Sequence, residues 1–197
     1  AEIRAANERA AARGLPPIAV SPAQGKFLEL LVRLTASAHV LEIGTLAGYS
    51  TLWLERALPP GGHITTLEIS PAHAAVAREN FAAAGRTSRI TLHVAPALDT
   101  LPTLPSHFDL IFIDADKPSS PAYLDHALRL ARPGALIILD NVIREGNVLN
   151  PKDDSARGVR EALARMGSNP RLAATALQTV GVKGYDGFAM AVVLPAS

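Results

Sequence analysis

The sequence predicts an α/β fold in which a mostly parallel sheet is covered by helices on both faces, and three observations carry that prediction. Five short aliphatic runs alternate with longer segments of helical period. Both ends of one helix are marked, by a Ser-Pro start and a glycine stop. After residue 140 the rhythm changes, and two further apolar runs flank a glycine-bearing connection.

In chain order, the opening AEIRAANERAAARG reads as a solvated helix. It is rich in alanine and arginine, but Glu2 and Glu8 and the lack of a hydroxyl run argue against a transit peptide. A first residue other than Met suggests that the true N-terminus is longer. A helix is expected at 22–35, then a strand at 39–43 and a helix at 49–58. A strand at 63–69 precedes a helix at 71–84, with Ser70-Pro71 at its start and Gly85 past its end. Strands at 90–94 and 108–113 follow, then a helix at 122–132 and a strand at 135–139. These five strands are too apolar to expose either face. A polar loop at 144–154 leads to a helix at 156–166. Runs 173–180 and 188–194 surround Gly181, Gly184 and Gly187, and are expected to pair antiparallel at one edge. Residues 1–197 suit a single domain, with no repeat, low-complexity tract or linker.

Bulk properties narrow the function. With 48% hydrophobic residues and a mean hydropathy of +0.18, the chain can bury a full core, and with only 5% aromatics that core is aliphatic. Nineteen basic against eighteen acidic side chains give +1, too little for the phosphate-tracking surface of a nucleic-acid binder. No apolar run reaches the roughly 20 residues a membrane-spanning helix needs. The absence of cysteine excludes disulfides, thiolate metal sites and a cysteine nucleophile, and fits a reducing cytoplasm.

Chemistry concentrates where strands end. In Leu41-Glu42-Ile43-Gly44-Thr45-Leu46-Ala47-Gly48-Tyr49-Ser50, two glycines let backbone and a helix start approach a ligand. The pattern lacks the third glycine of a dinucleotide fingerprint, and a plain tight turn is the alternative. Glu68 closes the second strand, where this architecture commonly uses a carboxylate to accept from ribose hydroxyls; a solvated loop carboxylate is the bland reading.

Asp114-Ala115-Asp116-Lys117 closes the fourth strand and Asp140-Asn141 the fifth. Consecutive right-handed crossovers put those ends on one edge of the sheet, so Asp114, Asp140 and Asn141 can converge. Two carboxylates and a carboxamide suit a hard cation, Mg²⁺ by default or Mn²⁺ or Ca²⁺, better than zinc. Loop and helix capping is the competing role for each. Lys117, three residues past Asp114, could reach a substrate hydroxyl beside the metal, where a neighbouring cation would favour its neutral, base-competent form; a surface lysine is the commoner fate. The six histidines show no ligand spacing, and Ser50 lacks the G-x-S-x-G context of a hydrolase.

These residues resemble the cation-dependent O-methyltransferases that include the caffeoyl-coenzyme A O-methyltransferases and bacterial relatives, with catechol O-methyltransferase more distant. The resemblance runs through SPAQGKFLELL, VLEIGTLAGYSTLWLERALPPGG, the segment from FDLIFIDADK to LDNVIREGNV, and ALQTVGVKGYDGFAMAVV. DADK and DN are its most specific part. It implies a Rossmann-like class I methyltransferase with seven strands in the order 3-2-1-4-5-7-6 and S-adenosylmethionine over the first strands. It assigns a metal to Asp114, Asp140 and Asn141. Glu42, Gly44 and Ser50 would contact the methionine part or the loop holding it, Glu68 the ribose, Ala97 the adenine surroundings, and Asp114 and Asp116 the cofactor beside the metal. Lys117 matches the family's catalytic lysine. Two vicinal substrate oxygens would chelate the metal, one would lose its proton, and the oxyanion would attack the sulfonium methyl in line.

The sequence departs from the family at Val20, where plant members commonly carry a hydroxyl near the cofactor. The segment 141–156 holds no obvious aromatic clamp for a bulky thioester, which points to a catechol-like small molecule. The N-terminal region, which in the family helps close the substrate pocket and a homodimer interface, is short. A non-catalytic cofactor-binding or dimerisation module, a nicotinamide-dependent oxidoreductase and a metal-assisted hydrolase remain as alternatives; the oxidoreductase would give DADK and DN no role.

Overall fold

A computed structural model describes residues 2–182 and 184–195. The chain divides into two compact units, 1–100 and 101–197, and the strands form one seven-stranded sheet in the order β3-β2-β1-β4-β5-β7-β6. That order is the one the resemblance implies.

The first unit contains α1 (Glu2–Ala12), α2 (Pro22–Leu34), β1 (His39–Ile43), α3 (Tyr49–Glu55), β2 (His63–Glu68), α4 (Pro71–Ala83), β3 (Ile90–Val94) and a short α5 (Ala97–Thr100). β1 and β2 pair in parallel, as do β2 and β3. Ser21 and Ser70 cap α2 and α4 by accepting from the backbone N–H of Gln24 and His73, each followed by proline in the first turn. β2 stops one residue short of the sequence expectation because Glu68 accepts from the Ser70 N–H and turns the chain, leaving Ile69 exposed. Helix α3 is shorter than expected, ending at Glu55 ahead of Pro59 and Pro60, which cannot continue a helix. α1 is not simply solvated: Ala6 and Ala10 are buried, and the helix packs on α3 and α4.

The second unit contains β4 (Phe108–Ile113), α6 (Ser120–Leu130), β5 (Ala131–Asp140), α7 (Asp154–Ser168), β6 (Leu172–Gly181) and β7 (Gly184–Val193). β4 and β5 are parallel, while β7 runs antiparallel to both β5 and β6. The expected hairpin is present. α6 begins two residues earlier than its pattern suggests and passes straight into β5, which is twice the expected length. α7 starts at Asp154 because the Asp153 carboxylate accepts from the Ala156 N–H at 2.7 Å. The expectation that all five strands are buried fails for β3: Ile90 is buried but Thr91 is exposed, because β3 lies at a sheet edge. Among the described residues no helix is long and apolar enough to cross a membrane.

Candidate functional site

In the first unit the strand ends gather around the loop 44–48. Glu42 is fully buried in an apolar strand, an arrangement that costs several kcal/mol, about 1–3 for each unmet polar group, unless partners are supplied. They are: Ser50 Oγ donates to its Oε1 at 2.6 Å, and Thr51 Oγ1 and Thr66 Oγ1 donate to its Oε2, the latter at 2.7 Å. Glu42 and Thr66 are register partners on β1 and β2, which places them side by side. Thr45 joins the cluster through a 2.6 Å hydrogen bond with Thr66. Glu42 and Ser50 therefore fasten the first turn of α3 and the loop to the strands.

The loop itself is bent by Gly44, Leu46 and Gly48, all at positive φ. At Gly48 a Cβ would lie 2.3 Å from a Phe81 ring carbon, so both conformation and space demand glycine. Glu68 closes the loop from the other side: its Oε2 accepts from the Leu46 N–H at 2.7 Å and its Oε1 from the Ser70 N–H at 2.8 Å. His73 Nδ1 lies 3.4 Å from the same Oε1. The Ala95 N–H donates to the Glu68 carbonyl, bringing the turn that leads to half-buried Ala97 beside the end of β2. Val20 is buried just before the Ser21 cap of α2. This loop could cradle a small polar ligand against backbone N–H groups, with Glu68 as acceptor for its hydroxyls.

The second unit collects the other residues. Ile113 pairs with Leu139 in the parallel β4–β5 ladder, so Asp114 and Asp140 leave neighbouring strands at the same level. Asp140 is buried, and its Oδ1 accepts from the Asn141 N–H at 2.9 Å. Asn141 has φ 57°, a left-handed geometry that turns the chain at once after the strand. Lys117 is buried, and its Nζ donates to Asp114 Oδ1 at 2.9 Å. Asp116 accepts from the Ser119 N–H at 3.2 Å and from the Tyr123 hydroxyl. Burial alone would raise the Asp116 carboxyl pKa, but the hydrogen bonds from Ser119 and Tyr123 outweigh it and hold the group below the usual carboxylate range. Burial, reinforced by the neighbouring Asp116 charge, pushes the Tyr123 phenol far above its ordinary value, so Tyr123 remains a donor.

The donor set fits a hard divalent cation: oxygen only, two carboxylates on adjacent strand ends, and a carboxamide on a turn. Among the described residues no three His, Cys, Asp or Glu side chains gather in one metal-binding group, so the carboxamide of Asn141 and oxygens from outside the protein would complete such a shell.

Sequence reasoning missed several supporting residues. Thr45, Thr51 and Thr66 surround Glu42; the signal was the carboxylate inside an apolar strand, which requires donors. Asp186 Oδ1 accepts from the N–H groups of Ile143 and Arg144 at 2.9 and 3.1 Å, and so braces the turn that follows Asn141. Gly158 lets α7 approach the backbone of Lys117 and Pro118, where a Cβ would lie 2.3 Å from the Lys117 carbonyl oxygen.

Comparison with known proteins identifies the family. The sequence profile of the O-methyltransferase family matches residues 2–192. A catechol O-methyltransferase of Niastella koreensis is 51% identical over 195 residues, covering 96% of this chain and 88% of that protein. The crystal structure of an O-methyltransferase from Bacillus cereus in complex with SAH superposes with a TM-score of 0.95 at 48% identity, over 98% of this chain and 90% of that one. The O-methyltransferase TomG of Streptomyces achromogenes, involved in tomaymycin synthesis and solved in complex with SAM, gives 0.95 at 43% identity, again over 98% and 90%. The chain belongs to the O-methyltransferase family and is an S-adenosylmethionine-dependent O-methyltransferase.

Proposed function

We propose that the chain moves the methyl group of S-adenosylmethionine to one hydroxyl of a vicinal diphenol, with a divalent metal, Mg²⁺ by default, held by Asp114, Asp140 and Asn141. The observation that carries this reading is the β4–β5 register, which releases two carboxylates side by side with a carboxamide adjacent. A relative at 51% identity named catechol O-methyltransferase supports the acceptor class. Residues 1–197 are read as one methyltransferase domain, in keeping with a family match that spans 2–192.

Glu68 accepts from the ribose hydroxyls, while Glu42, Gly44 and Ser50 shape the loop that holds the methionine part. Val20 and Ala97 line the cofactor, with Asp114 and Asp116 beside it. A bound metal would supply Lewis acidity, favouring the ionised form of the attacking hydroxyl near neutral pH. Lys117, as the neutral amine, takes the hydroxyl proton on Nζ, and the hydrogen bond that Nζ donates to Asp114 holds the amine in place. Burial of Lys117 and Asp140 keeps water from competing for these positions.

A homodimer in the cytoplasm is part of the same reading. The exposed apolar side chains Leu177, Val180, Val182 and Tyr185 on the β6–β7 hairpin support self-association, which light scattering after gel filtration measures.

The deciding experiment is methyl transfer from S-adenosylmethionine to a panel of vicinal diphenols and one monophenol, with and without EDTA, alongside Lys117→Ala and Asp140→Ala. Diphenol methylation that is lost with EDTA and falls at least a hundredfold in both variants is expected. Methylation indifferent to chelator would return the carboxylates to a structural role.

A further inference from the structure

α1 is joined to the glycine loop by one buried side chain. Asn80, on α4 and 1% exposed, donates through Nδ2 to the Ala47 carbonyl at 2.8 Å and to the Ala6 carbonyl at 3.3 Å. Its Oδ1 accepts from Arg9 on α1. One carboxamide thus satisfies a carbonyl of the loop, a carbonyl of α1 and a guanidinium of α1. Ala47 is flanked by Leu46, whose N–H is held by Glu68, and by left-handed Gly48. The same three elements share an apolar contact: Ala10 of α1, Ala47 of the loop and Val76 of α4 form one buried cluster against which Leu15 and Leu46 pack.

We propose that Asn80 is a positioning residue for the loop 44–48, and that through it the docking of α1 sets the affinity of the chain for its methyl donor. The inference rests on the reading of that loop as the donor site. The physical reason is linkage. Leu46, a non-glycine residue held at φ 50° between two left-handed glycines, keeps that shape only while its surroundings hold it. The Ala47 carbonyl is held by the side chain that also holds α1. Ordering the loop around a ligand therefore favours docked α1, and docked α1 favours the ordered loop by the same factor.

The test measures the dissociation constant of S-adenosylhomocysteine by calorimetry for the unsubstituted chain, Asn80→Ala, Asn80→Asp and Arg9→Ala, with KM for S-adenosylmethionine and kcat beside it. Asn80→Asp keeps the Arg9 contact but can no longer donate to Ala47, and Arg9→Ala loosens only α1. Weakening of about tenfold is expected for both Asn80 variants, and of two- to threefold for Arg9→Ala, on the order of one hydrogen bond each or less. The loss appears in KM, with kcat within twofold. Hydrogen exchange adds a readout that a merely structural role would not move: S-adenosylhomocysteine slows exchange of the α1 amides in the unsubstituted chain and not in Asn80→Ala. Lowered thermal stability with an unchanged dissociation constant overturns the inference alone. Failure of the unsubstituted chain to bind S-adenosylhomocysteine overturns the donor reading of the loop, and this inference with it.

Discussion

Replacing Gly158 with alanine sets two effects of opposite sign against each other within one helix. Glycine inside a helix costs about 1 kcal/mol relative to alanine, so on propensity alone Gly158→Ala stabilises. At this position, however, the new Cβ would lie 2.3 Å from the Lys117 carbonyl oxygen, 2.8 Å from Pro118 Cα and 2.9 Å from the Pro118 carbonyl oxygen. These neighbours are backbone and cannot rotate away. Restoring ordinary contact requires a displacement of about 1 Å, and overpacking of this kind costs about 1–3 kcal/mol. Gly167, on the same helix with nothing within 4 Å of where an added methyl would stand, supplies the control. Gly167→Ala is expected to stabilise by up to about 1 kcal/mol. The difference between the two variants is then about 1–3 kcal/mol, or roughly 2–12 °C in Tm for a chain of this size. The catalytic consequence is sharper, because the displaced backbone carries Lys117. A misplacement of about 1 Å can cost on the order of a hundredfold in rate, so kcat for diphenol methylation falls for Gly158→Ala and holds for Gly167→Ala. Calorimetric unfolding and steady-state kinetics read both. Equal stability of the two variants, or full kcat in Gly158→Ala, refutes the argument.

Glu42→Gln puts an NH₂ among hydroxyls that now donate to a carboxylate, and is expected to destabilise by about 1–3 kcal/mol in urea unfolding. Gly48→Ala meets Phe81 at 2.3 Å and also carries a left-handed φ of 76°; a loss of about 2–4 kcal/mol is expected, partly recovered when Phe81→Leu opens the space. Stability also depends on pH through His63. Burial, with the nearby His39 and Arg89 charges, holds its folded pKa below the ordinary histidine value of 6.5. The unfolded chain therefore takes up the proton first, and stability falls as pH drops from 6.5 through the folded value. Thermal melts between about pH 8 and 5 check this, and His63→Gln is expected to flatten the slope.

The strands and helices were legible because each carries a local cause: aliphatic runs for the strands, helical period for the helices, and the Ser-Pro start and glycine stop of α4. The antiparallel hairpin was legible from its glycines. Boundaries slipped where a long-range or side-chain contact decides them. Glu68 ends β2 by capping Ser70, and Asp153 starts α7 ahead of its apolar period. The burial of α1 was hidden because alanines carry little hydropathy signal, and their packing depends on partners in α3 and α4. Of the site, the strand-end residues could be read directly, since topology alone places them. The residues that hold them could not, because Asn80, Asp186 and Gly158 act on loops distant in sequence and belong to no motif.

The carboxylates of this chain divide by the kind of partner they keep, and on the function proposed here the division separates scaffold from chemistry. Glu29 is buried against Lys26 and Arg33 within α2, and Glu55 against Arg86 and Arg89, in ion pairs that fasten α3 to the segment before β3. Glu42 is held by hydroxyls drawn from the neighbouring strand β2 and from helix α3, so its removal costs shape before it costs charge. Asp114 differs in that its cationic partner, Lys117, is the residue a proton transfer would use, and it stands three positions away on a turn that Gly158 brings against α7. A structural ion pair gains nothing from placing its cation on an irregular turn at the end of a strand, beside a second strand that ends in Asp140 and a left-handed Asn141. A catalytic pair does, because the amine must exchange one partner for another during turnover. Lys117→Arg separates the two roles: it preserves the charge and the contact with Asp114 but cannot accept a proton near neutral pH. Stability close to that of the unsubstituted chain, together with a fall in kcat of at least a hundredfold, is the expected pairing. Retained activity in Lys117→Arg would place Lys117 with Glu29 and Glu55 among the fastenings.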